Sequence, residues 1–282
     1  MSDERSIRAS PVIATEVLES DVFFEVFDHL PRQGPGDRKS AARALGMCPD
    51  LPPAPTIVDL GCGAGGQTLH LADLVPTGTI LAIDRHAPSI ERLRTSIAQR
   101  GLQGRVDALV GDMARPAVPA GSVDLVWSEG ALYAIGLPTA LRVCHDLLRP
   151  GGCLAFTHLV WRKAGPPPEV EASLGLEDPA LGWVEDAVTA IRCSGLDLVG
   201  HFTLPDDAWW DDFYTPMEAR IAALRATYAN DPETLAILAE LAREPEMHRR
   251  HASFYAYEWF VARRPSRTAG RATSSPRSSW RA

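Results

Sequence analysis

The segment Val58-Asp59-Leu60-Gly61-Cys62-Gly63-Ala64-Gly65-Gly66 sets closely spaced glycines between a short apolar run and a helical stretch. Glycine tolerates left-handed backbone and lets a ligand come close to the main chain, so a loop of this kind is built to hold something against it. Gly61, Gly63 and Gly66 have dinucleotide-loop spacing. Asp59, two residues ahead, would repel a pyrophosphate drawn to a helix N-terminus and suits a ligand bearing an ammonium group. Asp84 ends the second apolar run, where an acid can accept both hydroxyls of a ribose. Gly111-Asp112-Met113 follows the third run and offers an acid and an apolar side chain to an adenine ring.

An ammonium group, a ribose and an adenine together describe S-adenosylmethionine better than a nicotinamide dinucleotide. Methyl transfer from a sulfonium is an in-line displacement in which the donor brings the leaving group. The protein aligns the acceptor and, where needed, takes its proton. Groups for that task are expected after the fourth and fifth apolar runs. Glu129 and Tyr133 lie there at i, i+4 spacing, on one face if the stretch is helical, and His158 ends the fifth run. Each has a plainer reading: a strand histidine is often a packing residue, and Asp84 can cap a helix. The stretch Pro205–Tyr214 alternates acids with aromatics. It reads first as a cap anchored by tryptophan, and second as a pocket for a cationic amine.

These residues need a scaffold. Thr56–Leu60, Thr79–Ile83, Val106–Val110, Val123–Trp127 and Cys153–His158 read as buried strands, with helices at Gln67–Leu74, Pro88–Arg100 and Pro138–Leu148 between them. Alternation of this kind predicts βαβ units, hence a parallel α/β sheet with helices on both faces. A helix at Val184–Ser194 leads to a sixth strand, Leu196–Leu204, and Ala252–Ala262 reads as a last one. Two helices, Pro216–Ala229 and Pro232–Arg243, lie between these last strands and predict a helical cap over one sheet edge. Upstream, Glu16–Leu30 is amphipathic and Ser40–Leu45 is a short helix stopped by Gly46. The expected organisation is a flexible segment 1–15, a helical lid 16–55, a catalytic domain 56–263 with the cap at 205–251, and a basic disordered tail 264–282.

The glycine loop, Asp84, the Gly111-Asp112-Met113 turn and the Arg149-Pro150-Gly151-Gly152 turn, in that order, resemble class I S-adenosylmethionine-dependent methyltransferases. The Arg32–Gly36 segment RQGPG, the Trp127–Gly136 segment and the Leu204–Trp210 segment further resemble a bacterial subgroup of such enzymes acting on small molecules. The resemblance implies a Rossmann-like seven-stranded sheet whose last strand is antiparallel. It also implies that Asp59, Gly61, Gly63 and Gly65 surround the methionine moiety, with Asp84 on the ribose and Asp112 and Met113 at the adenine. Ser128 would lie under the cofactor, and Arg32 or Gln33 would reach its carboxylate.

Composition narrows the partners. A formal net charge of -8 over 282 residues gives little grip on nucleic acid. The polar start MSDERSIRAS predicts no signal peptide, and no apolar run is long enough to span a membrane. Five cysteines without a CxxC pair predict neither a metal site nor a disulfide framework, and fit a cytoplasmic setting. The expected partner is a small-molecule acceptor. An RNA or protein methyltransferase, a nicotinamide-dependent oxidoreductase and a non-catalytic S-adenosylmethionine-binding protein stay open as rivals. The oligomeric state is not legible.

Overall fold

The computed structural model of the protein describes residues 20–266. Seven strands form one sheet in the order β3-β2-β1-β4-β5-β7-β6. They are β1 (Thr56–Leu60), β2 (Thr79–Asp84), β3 (Val106–Val110), β4 (Val123–Ser128), β5 (Leu148–Trp161), β6 (Asp197–Thr203) and β7 (Tyr255–Arg263). β7 runs antiparallel to both β5 and β6, and the other neighbouring pairs are parallel. The expected Rossmann-like fold, antiparallel last strand included, is the observed one.

Among the described residues ten helices of seven residues or more accompany the sheet: α1 (Asp21–Phe27), α2 (Arg38–Met47), α3 (Gly66–Leu74), α4 (Ala87–Gln99), α5 (Leu137–Leu147), α6 (Pro168–Glu177), α7 (Val184–Cys193), α8 (Thr215–Thr227), α9 (Pro232–Leu241) and α10 (Arg243–His251). α1 starts at Ser20, whose hydroxyl accepts the Phe23 N–H, so the amphipathic stretch is a shorter helix than its periodicity predicts. Residues 16–19 lie outside the described part, as do segment 1–15 and most of the basic tail. α2 runs through Gly46 because an Asp37 cap at one end and burial of Ala41 and Ala44 along its length outweigh one glycine. β5 begins at Leu148 and runs through the expected Arg149–Gly152 turn, with a register shift against β4. α6 and α10 were not foreseen.

The sheet order reverses between β1 and β4, which opens a crevice at the carboxyl ends of the strands. Pairing of these strands stops at Asp59 and Trp127. Beyond that point Ser128 Oγ bridges the gap by donating to the Leu60 carbonyl at 2.7 Å. Two further pieces close over the crevice. α8 and α9, from the β6–β7 connection, pack on α1 rather than along a sheet edge. Tyr228 Oη donates to Glu25 at 2.9 Å, and the Gly36 N–H donates to the Ala208 carbonyl at 2.9 Å. The N-terminal segment and the cap therefore form one roof.

Beneath it, Trp127 and Trp259 pack with ring centroids 4.9 Å apart, both fully buried. Trp259→Ala removes that contact and leaves a void under the site. It should cost about 3–5 kcal/mol of unfolding free energy, read from urea melts.

Candidate active site

The β1–α3 loop owes its shape to three glycines with positive φ: Gly61 at 72°, Gly63 at 52° and Gly65 at 87°. At Gly65 a Cβ would also strike the Leu93 side chain of α4, so helix packing and backbone conformation both demand glycine there. The loop folds onto the end of β2. Gly61 N–H donates to the Ile83 carbonyl at 2.8 Å, and Gly63 N–H donates to Asp84 Oδ2 at 2.8 Å. The other Asp84 oxygen accepts the His86 N–H at 2.8 Å. A carboxylate can accept about four hydrogen bonds, so Asp84 is held rigidly by two and retains capacity for a ligand.

Asp59 is completely buried under this loop. One oxygen accepts Thr68 Oγ1 at 2.6 Å, and the other has no hydrogen-bond partner among the described residues. Burial pushes its carboxyl up to about 7, while the Thr68 bond pulls it down. Glu129 and Asp84 add to the rise, and Arg32 opposes it.

Arg32 comes from the roof and is 3% exposed. Its Nη2 donates to Glu129 Oε2 at 2.6 Å, both side chains being buried, while Nη1 is left without a partner. Glu129 Oε1 accepts Trp127 Nε1–H at 2.8 Å. Neighbouring Gln33 also reaches in, its Oε1 accepting the Ala64 N–H of the glycine loop at 2.7 Å.

All of this surrounds a cavity of about 520 Å³ at the carboxyl ends of the strands. Arg32, Gln33, Gly61, Gly63 and Asp84 contribute to its wall, as do Asp112, Met113, Glu129 and Tyr133. Asp59, Gly65 and Ser128 stand behind that wall. Tyr133 lies on a single 3-10 turn, Leu132–Ile135, that Glu129 precedes. The expectation that both share one helix face is therefore corrected: Gly130, at φ 63°, breaks the stretch between them. Glu129 is not a disengaged base either: one oxygen is paired with the Arg32 guanidinium and the other accepts from the Trp127 indole.

His158 is not on the cavity wall. Strand alternation sends Leu159 to the cavity and His158 to the opposite face, where its Nε2 lies 3.6 Å from Asp178. Burial lowers its pKa, with Asp178 opposing. The catalytic expectation for His158 fails on this placement.

Several wall residues escaped sequence reading. Tyr255 and Tyr257 open β7 and face the cavity, a position readable from their period of two once β7 is paired with the end of β5. Glu244 and Met247 sit on α10, whose charged sequence gave no signal.

Comparison with known proteins agrees with this geometry. Residues 57–152 match the methyltransferase domain family. That match runs from β1 into β5 of the Rossmann-like seven-stranded sheet, and the class the fold defines is that sheet with its antiparallel last strand. Among curated relatives, nocamycin O-methyltransferase of Saccharothrix syringae is 37% identical over 53% of this chain and 52% of its own length. Trans-aconitate 2-methyltransferase of Azoarcus sp. is 27% identical over 73% of this chain and 74% of its own. Most of the first such relatives are spanned over less than two thirds of their length. Among solved structures, an S-adenosylmethionine-dependent methyltransferase of Geobacter sulfurreducens in complex with S-adenosyl-L-homocysteine superposes with a TM-score of 0.71 at 18% identity, covering 86% of this chain and 97% of the other. The [4+2]-cyclase SpnF superposes with a TM-score of 0.68 at 20% identity, over 89% and 94%. No described helix is long and apolar enough to cross a membrane.

The Arg32–Glu129 pair yields a stability prediction. Glu129→Gln leaves a buried guanidinium without its counter-charge, so it should cost about 3–5 kcal/mol. Replacing both residues together by Met and Leu should cost less than the single change, in a denaturation series on the two variants.

Proposed function

We propose that this chain transfers the methyl group of S-adenosylmethionine to a small-molecule acceptor enclosed beneath the roof. The observation that carries the reading is a pair of buried atoms on the glycine-loop side with no partner among the described residues: Nη1 of Arg32, a wall residue, and Asp59 Oδ1 behind that wall. Orphaned polar atoms of opposite character suit the ammonium and carboxylate of a methionine moiety. Asp84 is suited to the ribose hydroxyls, Asp112 and Met113 to the adenine, and Gly61, Gly63 and Gln33 to close approach along the loop. Gly65 supports that loop from behind, and Ser128 supports the floor between β1 and β4. When bound, S-adenosylmethionine supplies an electrophilic methyl group and its own leaving group.

The chain's share of the chemistry is alignment and exclusion of water. Tyr133 is placed to orient an acceptor. Glu129 holds Arg32 and so acts on the methionine end. Enclosure by α1, α8 and α9 favours a small acceptor over an RNA or protein one. The buried Asp59 disfavours a pyrophosphate-bearing nicotinamide cofactor. Five free thiols suit a reducing compartment. SpnF shares the fold under the name of a cyclase, so turnover has to be tested directly. Incubation with methyl-labelled S-adenosylmethionine and a metabolite extract, followed by mass spectrometry, should yield a labelled small molecule. Label in protein or RNA alone, or no label at all, would overturn the reading.

Asp84→Ala removes a charged acceptor from the ribose position. Affinity for adenosylhomocysteine should fall about tenfold to a hundredfold by calorimetry, since a charge-assisted hydrogen bond is worth roughly 1.5–3 kcal/mol. Unchanged affinity in a folded variant would remove Asp84 from the site.

Asp59 gives a pH signature. Burial raises its carboxyl to about 7. Below that value it is neutral and offers the ligand's ammonium no charge; above it, it is ionised. Affinity for adenosylhomocysteine should therefore rise about tenfold from pH 6 to pH 8 and level off. Asp59→Asn should flatten the profile.

A further inference from the structure

The cavity has two halves of unlike chemistry. Beneath the glycine loop lie main chain and carboxylates; beneath the cap lie aromatic rings. Trp209 centres the second half, its ring centroid 5.2 Å from Tyr257, 5.8 Å from Tyr255 and 6.0 Å from Tyr214. All four rings line the cavity.

One charged side chain stands in that aromatic wall. Glu244, on α10, lines the cavity, and its Oε1 accepts Tyr214 Oη at 3.0 Å. It forms no ion pair among the described residues, unlike Glu129, which Arg32 neutralises. Enough protein surrounds it that burial raises its carboxyl to about 7, against the pull of the Tyr214 hydroxyl.

Among the described residues no cation lines this half. The arginines on the cavity wall are Arg32, committed to Glu129, and Arg85, which follows Asp84 at the loop end. His248 stacks on Trp209 at 4.2 Å, and burial lowers its pKa, so it stays neutral near pH 7. An anionic acceptor would meet an unpaired carboxyl and the negative faces of aromatic rings. A protonated amine would meet cation–π attraction from the same faces and a carboxylate to pair with.

We infer that the cap half of the cavity receives an acceptor carrying a protonated amine on an apolar or aromatic body, and that Glu244 is the residue that selects it. The inference rests on the methyltransferase reading, because it needs the donor in the other half. It separates this chain from its relative named for trans-aconitate, a tricarboxylate, for which this wall has the wrong sign. Of the Pro205–Tyr214 stretch, Trp209, Phe213 and Tyr214 line the cavity and its aspartates do not, so the carboxylate of this half comes from α10 instead.

The test uses the full chain saturated with adenosylhomocysteine and three probes of similar size: phenethylamine, phenethyl alcohol and hydrocinnamate. Ligand-observed NMR should rank the amine roughly tenfold above the alcohol, with the carboxylate weakest. Glu244→Gln, which keeps the shape and the acceptor for Tyr214, should abolish the amine's advantage while leaving adenosylhomocysteine affinity within about twofold. Equal binding of the three probes, a preference for the carboxylate, binding of none, or an amine preference that survives Glu244→Gln would each overturn the inference. The wild-type ranking needs no variant and stands even if the substitution unfolds the chain. Failure of wild-type protein to bind adenosylhomocysteine would instead overturn the methyltransferase reading itself.

Discussion

Arg32 and Glu129, a cation and an anion joined at 2.6 Å away from water, form the junction on which the candidate site is assembled. Neither charge is tolerable alone in that place. Arg32 belongs to the roof segment, Glu129 to the loop after β4, and Trp127 Nε1 fixes the second carboxylate oxygen. Roof, sheet and core tryptophans are thereby brought into one register. The same guanidinium acts on the charge of Asp59, so the pair also sets the electrical environment beneath the glycine loop. Gln33, the next residue, caps the loop's Ala64 N–H because Arg32 holds the chain in place beside it.

Sequence reading succeeded where local rules determine structure. Alternation of apolar runs with helical stretches located all seven strands. The glycine loop, Asp84 and Met113 come together on one cavity wall at the strand ends, because the turns between βαβ elements are short and leave little freedom. It failed where long-range contacts decide. Whether His158 or Leu159 faces the crevice depends on the pleat of a 14-residue strand that begins earlier than its composition suggested. Glu129 looked like a spare acid because its partner lies 97 residues away. Glu244 sits among charged neighbours in Arg243-Glu244-Pro245-Glu246, where a solvated helix face is the natural reading; only the fold turns it towards the aromatic rings.

The two halves of the cavity come from separate parts of the chain. The loops after β1, β2 and β3 furnish the glycine-loop side, whereas β7 and the β6–β7 connection furnish the aromatic side. Changes in the latter can reshape the aromatic half without disturbing the glycine loop and the strand ends beside it. Weak resemblance to relatives with different printed substrates is what such a division would produce.

The bond from Gly36 N–H to the Ala208 carbonyl has a consequence during synthesis. At roughly 5–20 residues per second, the ribosome makes residue 208 about 10–30 s after residue 36. For that interval the stacked rings of Phe23 and Phe27 have no cap to pack against. The nascent chain must carry a greasy N-terminal helix through most of translation, which makes that helix a natural landing place for a chaperone and leaves the crevice unroofed until the cap has been made.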